Sequence, residues 1–174
     1  MGNIEIERKF LVTADDWRRG ARAIRIRQGY IASQKGLTVR VRQKNDTAYL
    51  TVKANRDRDS RYEFEYRIPT SDADLMLAEL CALPPIEKTR YEVDIDGHTW
   101  EIDVFEGPND GLVIAEIELA SVDQAFTKPA WAGPDVTTDP RFYNAYLFQH
   151  PFKTWGVSYR DLLKQAATIS PNDA

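Results

Sequence analysis

Charged residues recur two apart along this chain, as Glu5/Glu7/Lys9, Arg40/Arg42, Glu63/Glu65, Lys88/Arg90, Glu101/Asp103 and Glu116/Glu118, each interleaved with apolar or aromatic residues. That spacing places every such group on one face of a β-strand. Glu5, Glu7, Glu63, Glu65, Glu116 and Glu118 supply hard oxygen ligands of the kind Mg²⁺ or Mn²⁺ prefers. Lys9, Arg40, Arg42, Lys53, Lys88 and Arg90 supply donors for phosphate oxygens. A charge buried alone is costly, but mixed acids and bases around a cation and a polyanion offset one another. If these faces converge, the guest they imply is a metal-bound polyphosphate. If they diverge, they are solvated strand faces and nothing more.

The elements that must position them are mostly strands. Segments of about 3–12, 24–33, 37–44, 47–54, 61–68, 87–95, 98–106 and 111–120 read as strands, and Arg61-Tyr62-Glu63-Phe64-Glu65-Tyr66-Arg67-Ile68 is the cleanest alternation. Asn45-Asp46 and Asp96-Gly97 suit tight hairpin turns. Ser71–Leu80 changes to helical periodicity, with Ser71 as cap, Asp72 and Asp74 near the positive end of the dipole, and Leu75, Leu80 and Leu83 as its covering side. Thr13–Trp17 reads as a short capped helix or turn. In the tail, Ser121–Phe126 reads as a short capped helix, Lys128–Pro140 as a loop, Phe142–Gln149 as a second short helix and Ser158–Gln165 as the last.

Composition bounds the rest. With 174 residues, 43% hydrophobic and 29% charged, the chain suits one folded domain spanning 1–174, strands over about 3–120 and helices over about 121–170. The net charge of −4 argues against a general nucleic-acid binder. No apolar run approaches the roughly 18 residues of a spanning helix, and the first residues lack a signal-peptide pattern, so the expectation is a cytoplasmic protein with no membrane partner. Cys81 is the lone cysteine, which excludes an internal disulfide and suggests a buried thiol. His98 and His150 read as turn residues without a metal-spaced partner.

Alternation alone admits two architectures, a sandwich with its charges in solvent and a barrel with its charges in a wet lumen. At this point the motifs resemble a known family. Glu5-Ile6-Glu7-Arg8-Lys9 is similar to the ExExK signature of the CYTH superfamily, the triphosphate tunnel metalloenzymes. Gln28-Gly29-Tyr30, Val39-Arg40-Val41-Arg42, Thr51-Val52-Lys53, Arg61-Tyr62-Glu63-Phe64-Glu65, Glu87-Lys88-Thr89-Arg90-Tyr91, Glu101-Ile102-Asp103 and Ala115-Glu116-Ile117-Glu118 resemble its remaining strand motifs in order. Asp139–Asn144 is similar to its C-terminal segment, which plugs or lines one tunnel mouth.

The resemblance implies a mainly β (α+β) fold, a closed eight-stranded antiparallel β-barrel tunnel with a charged lumen and helices packed outside. It implies metal-dependent hydrolysis of a triphosphate with Mg²⁺ or Mn²⁺, inorganic tripolyphosphate being preferred because the motif set most resembles short bacterial tripolyphosphatases. A class IV adenylyl cyclase, a thiamine triphosphatase and a noncatalytic polyphosphate-binding module are the alternatives. Glu5, Glu7 and Glu118 are the leading implied metal ligands, with Glu63, Glu65 and Glu116 as second-metal or water-mediated ones. Arg40, Arg42, Lys53, Lys88 and Arg90 clamp phosphates, and Tyr30 sits near the reacting end. Lys9 binds phosphate or, with its pKa lowered among cations, helps activate water. Glu101 and Asp103 are equally salt-bridge partners of the bases. The implied partner is a small triphosphate, with a homodimer left open.

Overall fold

The computed structural model describes residues 6–34, 36–55 and 61–169. Strands run β1 (Glu7–Val12), β2 (Arg22–Gln34), β3 (Leu37–Lys44), β4 (Thr47–Asn55), β5 (Arg61–Ile68), β6 (Ile86–Ile95), β7 (His98–Phe105), β8 (Val113–Glu118) and β9 (Ala132–Asp135). The helices are α1 (Thr70–Glu79), α2 (Asn144–Gln149) and α3 (Tyr159–Ile169), with short 3₁₀ turns between elements. The strands make one antiparallel sheet in the order β5-β4-β3-β2-β6-β7-β8-β1-β9. Two hairpins carry the expected turn chemistry, because Asn45 (φ 48°), Asp96 (φ 48°) and Gly97 (φ 80°) take the left-handed conformation that tight turns need.

Among the described residues the sheet has nine strands and is not closed, which differs from the expected closed eight-stranded barrel. β1 supplies the physical reason. One of its edges pairs with β8, from Glu7 opposite Glu118 to Leu11 opposite Ile114. Its other edge carries β9, with Phe10 opposite Asp135 and Val12 opposite Ala132. A strand has only two edges, so at these positions β1 has none left for β5, whose ladder among the described residues is with β4. β9 falls inside the segment expected to be a loop because Ala132-Gly133-Pro134-Asp135 carries two strand-disfavouring residues. An edge strand tolerates Pro, which cannot donate to a ladder.

Gly133 is there for space: a Cβ added to it would lie 2.6 Å from Thr13 Cγ2 and 2.9 Å from the Leu11 carbonyl oxygen. Gly133→Ala is therefore expected to destabilise the chain by about 1–3 kcal/mol as β9 is forced off β1. Urea unfolding checks this, and an unchanged midpoint would show that the edge gives way freely.

Packing divides by sheet face. Phe10, Trp100, Ile102, Ala115 and Ile117 form a core on the outer face of β1, β7 and β8, covered by Trp131 and Phe126. Phe126 stands edge-on to Trp100, 5.9 Å between ring centroids, within a segment that is turn and coil where a capped helix was expected. α1 covers β2–β4 from outside, but through Ala73 and Leu77 rather than the expected leucines, as Leu75 (64% exposed) and Leu80 (54%) face solvent. Its cap position is Pro69, and Ser71 lies inside the first turn. The thiol of Cys81 is only half-buried, between α1 and the C-terminal core.

α2 and α3 correct the expectation of helices packed outside. Their Leu147, Phe148 and Leu162 pack with Leu11, Tyr30, Ile86, Phe105 and Ile114, which share strand faces with Lys9, Gln28, Lys88, Asp103 and Glu116. The C-terminal segment thus fills one end of the concave face. It is tied to β1, since Lys9 N–H donates to Thr137 Oγ1 at 2.9 Å and Val12 N–H to Tyr159 Oη at 2.8 Å, while that hydroxyl donates to the Val113 carbonyl at 2.7 Å.

Candidate active site

Side chains from β1, β2, β3, β4, β6, β7 and β8 line a single cavity of about 120 Å³, so the sheet curls around it. A water needs only about 10–15 Å³ on the same measure, so the space suits a multi-atom guest. Glu7, Lys9, Tyr30, Arg40, Arg42, Lys53, Lys88, Arg90, Glu116 and Glu118 all line it, joined by Gln28, Thr38, Glu101, Tyr143 and Asn144. Glu63 and Glu65 stand behind the cations of one wall. Glu5 lies outside the described residues.

The first wall is built by β3–β5. The ladder sets Arg40 opposite Thr51 and Thr51 opposite Glu65, and likewise Lys53 opposite Glu63. Arg42 donates to Glu65 Oε2 at 2.8 Å and Thr51 Oγ1 to the same oxygen at 2.9 Å, while Arg40 reaches Thr51 Oγ1 at 3.2 Å and Glu65 at 3.5 Å. Glu63 lies 3.5 Å from Lys53 and 3.8 Å from Arg40. These glutamates are counter-ions of Arg40, Arg42 and Lys53, an arrangement the metal-ligand expectation for Glu63 and Glu65 did not contain. The cations are still under-supplied. Arg40 Nε, Arg42 Nε and Gln28 Nε2 are buried donors without a hydrogen-bond partner. Burial first, then the neighbouring Arg40 charge, pushes the Arg42 guanidinium down to about 10. An anion between these donors would satisfy them and relieve that repulsion.

The second wall is built by β6, β7, β8 and β1. Arg90 stands opposite Asp103 in the ladder and grips both its oxygens at 2.7 Å, donates to Glu116 Oε2 at 2.9 Å, and pairs with Glu101. Lys88 Nζ donates to Asp103 Oδ2 at 2.5 Å and to Asn144 Oδ1 of α2 at 3.0 Å. Lys9 stands opposite Glu116 and pairs with it at 2.5 Å and with Glu7 at 2.9 Å. Burial disfavours the Lys9 ammonium, yet Glu116 and Glu7 outweigh it and hold its pKa above the ordinary lysine value. The neighbours differ from the cations expected to lower its pKa: two carboxylates raise it, and the ammonium donates to both. The same cations outweigh burial at Glu116 and keep its carboxyl well below the usual range. Tyr30, tilted against Phe148 at 5.3 Å, keeps its proton, since burial raises its pKa against the opposing pull of Arg40 and Arg42.

Glu7 and Glu118 face each other directly across β1 and β8. Like charges directly opposite are destabilising unless something positive lies between them. Among the described residues no three His, Cys, Asp or Glu side chains gather as a metal cage. Mg²⁺ does not require one, because it commonly binds through one or two carboxylates plus substrate phosphates and keeps several waters. The opposed pair fits such a cation. Gln28, Thr38, Thr51 and Asn144 were visible in the strand faces and motifs but carry no charge to single them out. Asp103, expected as either ligand or salt-bridge partner, is a salt-bridge partner.

A curled antiparallel sheet with partly unsatisfied cations on its inner face and paired carboxylates beside them defines a polyanion-binding β cup. Its family follows from comparison: residues 3–143 match the CYTH domain, and the chain belongs to the CYTH domain family. It is 48% identical over 151 residues to an inorganic triphosphatase of Acetivibrio thermocellus, covering 87% of this chain and 97% of that protein. It is 38% identical over 148 residues to an inorganic triphosphatase of Nitrosomonas europaea, covering 82% and 95%. The crystal structure of an inorganic triphosphatase aligns with a TM-score of 0.61 at 35% identity, over 83% of this chain and 93% of that chain.

Proposed function

We propose that the chain is a metal-dependent inorganic triphosphatase that splits tripolyphosphate into pyrophosphate and phosphate. The observation carrying this reading is the pair of cationic walls, with Arg40 Nε, Arg42 Nε and Gln28 Nε2 unsatisfied, beside the opposed Glu7 and Glu118. The curated relatives bearing the name inorganic triphosphatase support it. Phosphoryl transfer asks for positioning and charge neutralisation more than covalent chemistry. Arg40, Arg42 and Lys53 hold the chain of phosphates from one side, Lys88 and Arg90 from the other. Lys9, kept as an ammonium, donates to the oxygen on which charge develops, and Tyr30 donates as a neutral phenol beside the reacting end. Mg²⁺ or Mn²⁺ held at Glu7 and Glu118, with Glu5 as a further candidate ligand, would polarise the phosphoryl oxygens, while Glu63, Glu65 and Glu116 serve the neighbouring cations as counter-ions. Water adds to the terminal phosphorus, the bridging P–O bond breaks with its electron pair leaving on pyrophosphate, and the proton of the water passes to a phosphate oxygen.

A phosphate-release screen over tripolyphosphate, pyrophosphate, ATP and thiamine triphosphate, each with Mg²⁺ and with Mn²⁺, tests this. The expected result is the highest kcat/KM with tripolyphosphate. No release from tripolyphosphate with either metal, or a clear preference for a nucleotide or for thiamine triphosphate, would overturn it.

A further inference from the structure

We propose that Asp103 is a positioning residue of this site, setting Lys88 and Arg90 as one preformed clamp for the phosphate chain. The inference rests on reading the groove as a triphosphate site. Asp103 is fully buried (0% exposed) and is absent from the cavity lining that Lys88 and Arg90 both join. It therefore works from behind the cations. The ladder sets it directly opposite Arg90, whose Nε and one terminal nitrogen reach its two oxygens at 2.7 Å each. A bidentate pair of that kind fixes the plane of the guanidinium as well as its position. The same Oδ2 accepts from Lys88 Nζ at 2.5 Å. Both carboxylate oxygens are thus engaged by cations, which leaves Asp103 poorly placed as a metal ligand.

Glu116 and Glu101 also hold Arg90, but neither hydrogen-bonds Lys88. Asp103 is the carboxylate that couples the two heads. This matters most for Lys88, which faces Asp103 and the Phe105 ring (5.1 Å) from β7, Glu116 from β8, Asn144 from α2 and Arg90 on its own strand. Burial pushes the Lys88 ammonium down to about 8; Asp103 opposes that fall, Arg90 adds to it and Glu116 opposes it. Without the Asp103 charge Lys88 loses its proton at lower pH, and the clamp with it.

The test compares the wild-type chain with Asp103→Asn and Asp103→Glu. Three quantities are measured: tripolyphosphate affinity by calorimetry in EDTA, kcat and KM with metal, and the pH profile of kcat/KM. Asp103→Asn is expected to weaken metal-free binding and raise KM by about tenfold to a hundredfold, the usual range when the group orienting a functional side chain is lost. Its kcat should change far less, and the alkaline limb of its kcat/KM profile should move to lower pH. Asp103→Glu keeps the charge but displaces it by a methylene, so it should raise KM and leave the alkaline limb in place. If Asp103→Asn does not fold, the affinity and KM of Asp103→Glu decide. Wild-type metal-free affinity in a folded variant overturns the proposal. A wild-type chain that binds tripolyphosphate without hydrolysing it, with binding still weakened by Asp103→Asn, overturns the triphosphatase reading and leaves the clamp standing.

Discussion

Replacing Glu7 with glutamine will abolish tripolyphosphate hydrolysis while leaving the chain folded. Glu7 and Glu118 stand directly opposite each other on β1 and β8, and Lys9 Nζ lies 2.9 Å from Glu7. Lys9 is shared between Glu7 and Glu116, at 2.9 and 2.5 Å. A divalent cation at the opposed pair would complete the arrangement, keeping waters and taking substrate oxygens as its remaining ligands. A neutral amide holds a hard cation far less well, and the charge stabilisation a metal supplies to a phosphoryl oxygen is worth several kcal/mol. A loss of about 4 kcal/mol is about a thousandfold in kcat/KM. The Glu7 side chain is 32% exposed; removing its charge relieves the opposition to Glu118 but takes one carboxylate from the buried Lys9, which keeps Glu116, so only a small change in melting temperature is expected. EDTA should inactivate the wild type, and Mg²⁺ or Mn²⁺ should restore it. Wild-type kcat/KM in Glu7→Gln, or full turnover in metal-free buffer, would remove Glu7 and the metal from the mechanism.

The two-residue periodicity was enough to find the strands. Leu37–Lys44 and Arg61–Ile68 run between the residues expected, because one face of each is uniformly polar and a strand interrupts that pattern only at its ends. It was also enough to say which side chains share a face, which is why Lys9, Arg40, Arg42, Lys88 and Arg90 meet at one cavity. Register was beyond it. Nothing local to Glu116 shows that Lys9 will stand opposite it, yet that pairing turns Glu116 into a counter-ion and holds Lys9 protonated. Crowding among cations, the basis for expecting a lowered Lys9 pKa, was the wrong neighbourhood. That β1 would not close the sheet was equally hidden, since it turned on four residues, Ala132–Asp135, whose Gly and Pro read as loop and whose strand character comes from the edge of β1 they join. The leucines of α1 misled for the opposite reason: periodicity marks an apolar side, but Ala73 and Leu77 are the residues small enough or placed well enough to meet Val41 and Ala48.

Register also changes what the clamp mutations should do. Arg40→Ala and Arg90→Ala look alike in sequence, each removing one arginine from a basic pair. Arg40 lies 3.2 Å from Thr51, 3.5 Å from Glu65 and 3.8 Å from Glu63, and without it Glu65 keeps Arg42 at 2.8 Å and Thr51 at 2.9 Å while Glu63 keeps Lys53. Arg40→Ala should therefore raise KM with little loss of stability. Arg90 is 5% exposed and holds Asp103, Glu116 and Glu101 together. Removing it leaves buried carboxylates short of a cation, a change that costs about 3–5 kcal/mol when nothing else compensates. Lys88 still reaches Asp103 and Lys9 still reaches Glu116, so the lower part of that range is expected. The pH dependence follows from sign. In the wild type, burial disfavours the Asp103 and Glu116 charges but the cations win, Arg90 foremost at Asp103 and Lys9 ahead of Arg90 at Glu116, and both pKa values are depressed. Their stabilisation is fully present above the unfolded values, about 3.9 for Asp and 4.3 for Glu, and fades only as pH falls through the lower folded ones. In Arg90→Ala burial is less opposed, the folded values rise, and protonation removes the uncompensated charge. The gap in unfolding free energy between wild type and Arg90→Ala should thus be widest near neutral pH and narrow as pH falls below the carboxylate range. Denaturant unfolding at a series of pH values measures it. A gap near zero at neutral pH, or one that stays constant on acidification, would mean that Arg90 serves the substrate alone and that Lys9 and Lys88 hold the buried acids by themselves.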